Sequence, residues 1–556
     1  MSSQRIHLIT HSLSSIPNPW VSILLGIVLI LTIYHFWFQS LRHVKMVKNI
    51  PGPKPVPILG NALHVIGLGP EDVMKKILGM VKEYDTDVGR AYFGPRLIIG
   101  LLNPVDIELI LGSPVHLEKP WEYSLFESWI GQGLLTSYGD KWRSHRKMLA
   151  PTFHSSILKT FMPIFNKNAI ALLKKLDKAK SLTFDVHDYM SGTTVDILLE
   201  TAMGVNTNDD TAGFKYAKAI MDMCSIIHQR HYNLLLRLSF FFRWTKMAKD
   251  QIKLLDIIRS LTKRVLKTKK EDYALRVKKG EPSLYNEAVA EISKNSNGVE
   301  NERTENYQYI RDDLEINEEN DVGEKKRLAF LDFMIEASNS EGNKLNDNDI
   351  EDEVSTITFA GHDTTAAASS FVLTVLGTHQ DIQEKCITEL KEIFHDNWNR
   401  PITFNDTLQM KYLERVIMET MRLYPPVPMI ARKINEDVKL ASRDVTIPAG
   451  TTVIISQYVT HRLSKIWANP DKFDPDNFLP ENCQGRHYYA YFPFSAGPRS
   501  CLGRKYAMLK LKVLIASVLR NYKLISPNEE KDFRLQSDII LKRADGFQLR
   551  LEDRIL

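Results

Sequence analysis

The longest apolar stretch lies near the amino terminus. Trp20 to Phe38 contains no lysine, arginine, aspartate or glutamate. At 1.5 Å per residue, about 20 residues cross a bilayer core of roughly 30 Å. With no charged face, the run predicts a membrane helix rather than a buried core helix. A cleaved signal would need a shorter apolar core and a small-residue cleavage site. Phe36, Trp37 and Phe38 follow instead, bulky aromatics suited to a membrane interface. Prolines at 51, 53, 55 and 57 then exclude helix and central strand and predict a stiff, extended hinge.

Helical spacing dominates from about Glu71 to Gly280. Asn346 or Asp347 can cap a long helix through Thr378, with Glu351, Asp352 and Glu353 favourable near its positive end. Strand-like runs lie near Arg90–Leu101 and Val445–Ile455. Ala507, Leu511, Leu514 and Val518 predict a further helix. The pattern is mainly α with small β-sheets, an α+β fold.

A length of 556 residues would suggest three or four domains, and a 44% hydrophobic, 25% charged composition is ordinary globular usage. The net charge of +5 is too small to argue for nucleic-acid binding. It also hides a contrast: residues 281–324 hold 13 acidic and 3 basic residues, so the remainder is more basic than the total suggests. That segment has few large apolar residues and is expected to form an acidic surface insertion, a candidate for partner or membrane docking. Arg42, Lys45 and Lys48 follow the apolar run, whereas Arg5 alone precedes it, which predicts a cytosolic body. Four cysteines, none in a C-x-x-C pair, argue against a disulfide scaffold. The resulting division is a short lumenal terminus at 1–19, an anchor at 20–38, a basic and Pro-rich hinge at 39–57, and the body from 58 to 556.

The candidate chemistry centres on Phe494-Ser495-Ala496-Gly497-Pro498-Arg499-Ser500-Cys501-Leu502-Gly503. An irregular turn places Cys501 at a helix N-terminus, where partial positive charge favours a thiolate. Gly497 and Gly503 would let a flat ligand approach the backbone. Arg499 could meet a carboxylate, and Phe494 could shield the sulfur. The pattern F-x-x-G-x-R-x-C-x-G resembles the haem-ligand signature of the cytochrome P-450 superfamily. Trp142-Arg143-Ser144-His145-Arg146 resembles its W-x-x-x-R element, and Glu419-Thr420-Met421-Arg422 its E-x-x-R pair.

The resemblance implies haem b between a long oxygen-activating helix and the cysteine loop, with Cys501 as axial iron ligand. It places Trp142, Arg146, Arg432, His461, Phe494, Gly497, Arg499 and Gly503 around the cofactor. The segment Ala360-Gly361-His362-Asp363-Thr364-Thr365 resembles the family's A-G-x-D-T-T element, with Asp363 and Thr364 as proton relay and Gly361 admitting oxygen and water. Phe359, Ala360, Gly361, Val427, Met429 and Ile430 would border an apolar substrate. No G-x-G-x-x-G or Walker pattern supplies a nicotinamide or flavin site, so the resemblance implies electrons from NADPH through NADPH–cytochrome reductase, with cytochrome b5 as a second donor. Lys141, Arg143, Lys147, Arg504, Lys505 and Lys510 are candidates for the reductase footprint. The anchor matches the microsomal members, which implies a single-pass protein of the endoplasmic reticulum membrane.

Within the superfamily the chain resembles family four, and nearest to it the insect subfamily G. The marks are the acidic insertion ending Asn320-Asp321-Val322-Gly323, the run Phe473 to Glu481, and Arg486-His487-Tyr488-Tyr489. That resemblance implies oxidative decarbonylation of long-chain fatty aldehydes to cuticular hydrocarbons. Terminal fatty-acid hydroxylation, or oxidation of foreign apolar compounds, would use the same machinery. A haem carrier or electron-transfer protein is the non-enzyme alternative, against which the Asp363–Thr364 relay argues. Two departures stand out. Ala360 replaces a glutamate that esterifies haem in many family-four members, so haem is expected to be non-covalent. Asn477 replaces the last arginine of the structural Glu–Arg–Arg triad, and is expected to bond Arg422 without supplying charge.

Overall fold

A computed structural model describes residues 19–205, 212–283, 329–339 and 345–555. Most of the acidic insertion and of the lumenal terminus lies outside the described residues. Helix α1 (Pro19–Ser40) has a mean hydropathy of 2.2 over its most apolar window and is long enough to cross a membrane. Only Phe38 on it is buried, where its ring meets Tyr92 edge-on at 5.1 Å.

The segment after α1 is not a free hinge. Val44, Val47 and Ile50 are buried in a cluster with Val88, Ile99 and Leu101. Arg42 pairs with Asp437, and the Pro51 carbonyl accepts a hydrogen bond from Arg90 N at 2.8 Å. The prolines prevent helix, as expected. The apolar residues among the basic ones nevertheless gain more by docking on the sheet than by staying in water.

That sheet has four strands. β1 (Val88–Phe93) and β2 (Arg96–Leu101) form an antiparallel hairpin in which Leu97, Ile99 and Leu101 alternate inward. Two later strands extend it: β3 (Ile430–Lys433) pairs antiparallel with β4 (Thr452–Ile455), and β4 runs parallel to β2.

The second part of the body is helical. α2 (Gly139–Leu149), α3 (Val186–Thr201) and α4 (Ala212–Tyr232) precede the long α5 (Asp347–Thr378), and α6 (Lys411–Leu423) and α7 (Arg504–Asn521) follow it. Asn346 caps α5 by accepting from Asp349 N, and Asp349 accepts from Asn346 N in return. Asp352 and Glu353 do more than balance the helix dipole. Asp352 accepts from Gln132 N, and the fully buried Glu353 holds both Leu134 N and His145 Nδ1. These bonds tie α5 to α2 and to the loop before it. α5 packs against α3, α6 and α7, so its middle is buried on nearly every side. A C-terminal hairpin, β5 (Leu535–Asp538) with β6 (Ile540–Arg543), closes over α5.

Candidate active site

Between the middle of α5 and the loop before α7 lies a cavity of about 490 Å³ with a mostly apolar wall. Phe359, Ala360, Gly361 and Thr364 come from α5, Val427, Met429 and Ile430 from the chain entering β3, and Phe494, Cys501 and Gly503 from the cysteine loop. All six expected substrate-bordering residues are on this wall. Helix α5 thus faces Cys501 across the space.

The loop geometry explains how Cys501 is presented. Its N–H donates to the Phe494 carbonyl at 2.8 Å, closing the loop on itself. The thiol opens to the cavity while protein encloses it elsewhere. Burial pushes the thiol pKa up, and the Gly503 N–H, Arg146 and Arg504 pull it down. The helix N-terminus alone therefore does not make a thiolate here. A cation on the sulfur is needed to complete it.

One part of the wall is cationic. Arg432, 1% exposed, extends from β3, and Arg499 from the cysteine loop. Arg146 comes from α2, with its Nη2 donating to Ser500 Oγ at 3.3 Å. Trp142 is buried beneath them, with the Arg499 guanidinium 4.3 Å from its ring centroid. Lys119 joins the group. Among the described residues no ion pair links any of these four to a carboxylate. Arg432 Nη2 and Arg499 Nε are buried donors with no acceptor. Burial and the neighbouring Arg432 and Arg146 push Arg499 down to about 9, and Lys119 is pushed well down by burial, Arg432 and Arg499. Such a cluster demands a dianion. The two propionates of haem would satisfy it, and Cys501 would hold the iron. The residues present fit the cofactor.

Beneath the loop, Glu419 and Arg422 of α6 form a fully buried bidentate pair, with both contacts at 2.8 Å. Arg422 also donates to the carbonyls of His461, Pro470 and Lys472 at 3.0, 2.6 and 2.9 Å, and so gathers the chain that leads toward the cysteine loop. Asn477 bonds Glu419 rather than Arg422: its Nδ2 donates to Glu419 Oε1 at 3.1 Å. Arg486 accounts for this placement, because it holds the Asn477 carbonyl at 3.0 Å while stacking on Trp467.

Four other expectations are overturned. Asp363 is fully buried but not on the cavity wall. Lys542 of β6 takes its carboxylate at 2.9 Å, so any proton it passes must first be released from that pair. His461 is off the wall as well: its Nε2 accepts from Phe492 N at 3.0 Å, and burial pushes the ring down to about 3, which leaves it neutral. Gly497, at φ +68°, would place a Cβ 1.9 Å from the Leu111 carbonyl oxygen, so it is needed for backbone packing rather than cofactor approach. Gly361 does line the cavity, and a Cβ there would meet Leu198 of α3 at 2.8 Å, so this glycine also admits the close approach of α3. Lys510 is fully buried and cannot belong to a surface footprint. Thr364 does face the cavity, with its hydroxyl donating back to the Ala360 carbonyl at 2.8 Å. Lys119 and Lys542 escaped sequence reasoning, since neither lies in a motif.

Comparison with known proteins agrees with this geometry. The family model for cytochrome P450 matches residues 50–551. The chain is 48% identical to cytochrome P450 4g1 of Drosophila melanogaster, over 97% of this chain and 95% of the relative. It is 46% identical to cytochrome P450 4g15 of the same organism, over 94% and 95%. It is 34% identical to cytochrome P450 4V2 of Homo sapiens, over 96% and 95%. The chain therefore belongs to the cytochrome P450 family, in its family-four branch, as a monooxygenase that uses haem b held by a cysteine thiolate and draws electrons from NADPH through a reductase.

Proposed function

We propose that this protein oxidatively decarbonylates long-chain fatty aldehydes to hydrocarbons one carbon shorter. Aldehyde, dioxygen, two electrons and two protons then yield hydrocarbon, carbon dioxide and water. The observation that carries the reading is the division of the cavity. An apolar wall of Phe359, Val427, Met429 and Ile430 suits an alkyl chain, while the Lys119–Arg146–Arg432–Arg499 group is matched to the cofactor's own dianion. Support for the aldehyde comes from the subfamily-G marks in the sequence and from the similarity to cytochromes P450 4g1 and 4g15 of Drosophila melanogaster.

Haem bound on Cys501 supplies the oxygen activation. The chain supplies the setting. Trp142 and the four cations orient the cofactor by its acidic edge, the apolar wall excludes water, and the Thr364 hydroxyl holds a proton at the cavity face of α5. Ala360 brings no carboxylate to the cofactor, so haem is held without an ester bond. The membrane is that of the endoplasmic reticulum, with the body on the cytosolic side, and cytochrome b5 is a further electron donor.

Arg237 favours a second reading. It lines the cavity, donates to the His231 carbonyl at 2.9 Å and lies over the Phe93 ring at 4.1 Å. A guanidinium there could hold a fatty-acid carboxylate during terminal hydroxylation. The deciding experiment reconstitutes the full-length protein with NADPH–cytochrome reductase in liposomes and offers a saturated long-chain aldehyde labelled at the carbonyl carbon. Labelled carbon dioxide and the shortened hydrocarbon support decarbonylation. Hydroxylated or acid products alone overturn it.

A further inference from the structure

Lys510 sits on the inward face of α7 and is completely buried. Its Nζ donates to the Gly361 carbonyl oxygen of α5 at 2.8 Å and lies 4.9 Å from the Tyr506 ring centroid. Among the described residues no carboxylate pairs with it. Burial pushes it down to about 7. An apolar side chain of the same length would fill this space without the cost of desolvating an amine. The amine must therefore act on what it touches.

What it touches is the turn that carries Thr364. In a helix, a threonine hydroxyl can bond either of two carbonyls, three or four residues back. For Thr364 these belong to Gly361 and Ala360. A carbonyl oxygen offers two lone pairs. At Gly361 the helix ladder and Lys510 take these, and Thr365 Oγ1 adds a longer hydrogen bond to the same oxygen at 3.4 Å. Thr364 is left with Ala360, which it bonds at 2.8 Å.

We propose that Lys510 is a positioning residue for the oxygen-activating turn: by occupying the Gly361 carbonyl from α7, it confines the cavity-facing Thr364 hydroxyl to one rotamer. The control falls on how much of the electron flow from NADPH ends in product rather than in reduced oxygen. The proposal rests on the haem monooxygenase reading and is independent of the aldehyde.

The test compares Lys510→Met with the wild-type holoenzyme, using the carbon-monoxide band of the reduced protein to verify an intact thiolate site. A crystal structure of the variant should show Thr364 in a second rotamer that reaches Gly361. Product formed per NADPH should fall about twofold, as expected when two comparable hydrogen bonds divide the hydroxyl about evenly. In a Thr364→Val background, Lys510→Met should lower that ratio no further. If Lys510→Met does not accumulate, Lys510→Leu replaces it in every comparison. A single Thr364 rotamer with an unchanged ratio overturns the proposal, and so does an undiminished effect in the Thr364→Val background. The ratio is scored on whichever substrate turns over. Failure of the aldehyde reading shows in product identity, and failure of this one in the ratio.

Discussion

Replacing Lys542 by methionine removes the only lysine or arginine, among the described residues, that touches Asp363. The carboxylate is fully buried, and Lys542 Nζ contacts its two oxygens at 2.9 and 3.2 Å. Burial pushes Asp363 up, while Lys542 foremost, and then His362 and His187, hold it below its ordinary value. The two imidazoles cannot replace the lysine's full charge. His362 and His187 are pushed down to about 4 and about 3, mainly by burial, so both are neutral at pH 7. Removing one partner of a buried pair costs about 3–5 kcal/mol. With Lys542 gone, burial dominates and Asp363 moves upward. A carboxyl raised in the folded state stabilises below its unfolded pKa and loses that contribution as pH rises through the folded value. The penalty of Lys542→Met is therefore full at pH 7 and eases toward acid. In the wild type the sign is opposite: the depressed Asp363 stabilises at neutral pH and loses its contribution as pH falls through its lowered value. Urea unfolding of the carbon-monoxide complex, run at pH 7 and at lower pH, measures both trends. Asp363→Asn in the same chain should recover most of the loss, because the cycle then removes both charges. A single-variant penalty under about 1 kcal/mol at pH 7 would refute the account of Asp363, given the range expected for a broken buried pair.

Three further outcomes follow from the same geometry. Gly497→Ala should abolish the folded haem protein, because its Cβ would stand 1.9 Å from the Leu111 oxygen, whereas Gly503→Ala meets Phe153 at 3.6 Å and should fold; carbon-monoxide spectra of the two variants compare them. Acid extraction into organic solvent should release all the haem from the wild type, since Ala360 has no carboxylate to esterify it; haem left on the polypeptide contradicts this. Lys119→Met should weaken haem retention tenfold or more, in line with about 1.5–3 kcal/mol for one hydrogen bond to a charged group, measured as the rate of haem transfer to a scavenging protein.

The features legible in the sequence are those encoded over a few neighbouring residues. The Asn346 cap, the Glu419–Arg422 pair and the cysteine loop each lie within one local pattern, and each stands where that pattern implied. The six apolar wall residues followed from their closeness in sequence to such patterns. Partnerships between distant elements were not legible. Nothing around Asp363 announces a lysine 179 residues later, so the aspartate was expected at the cavity, where it is not. Lys510 sits among basic residues and looks like surface, yet its neighbours Met508, Leu509, Leu511 and Val513 are all buried, and so is it. The prolines after the anchor correctly excluded helix, but not where Val44, Val47 and Ile50 would go.

Those three residues bear on how the protein can be cut. A soluble version that starts after Pro57 would strip Val44, Val47 and Ile50 from the sheet and leave Val88 and Ile99 open to water. It would also lose the Arg42–Asp437 pair and the Pro51 acceptor for Arg90. The workable boundary lies upstream of Phe38, whose ring belongs to the same cluster. The stretch from Arg42 to Pro51 belongs to the catalytic body, and the membrane-spanning part ends before it does.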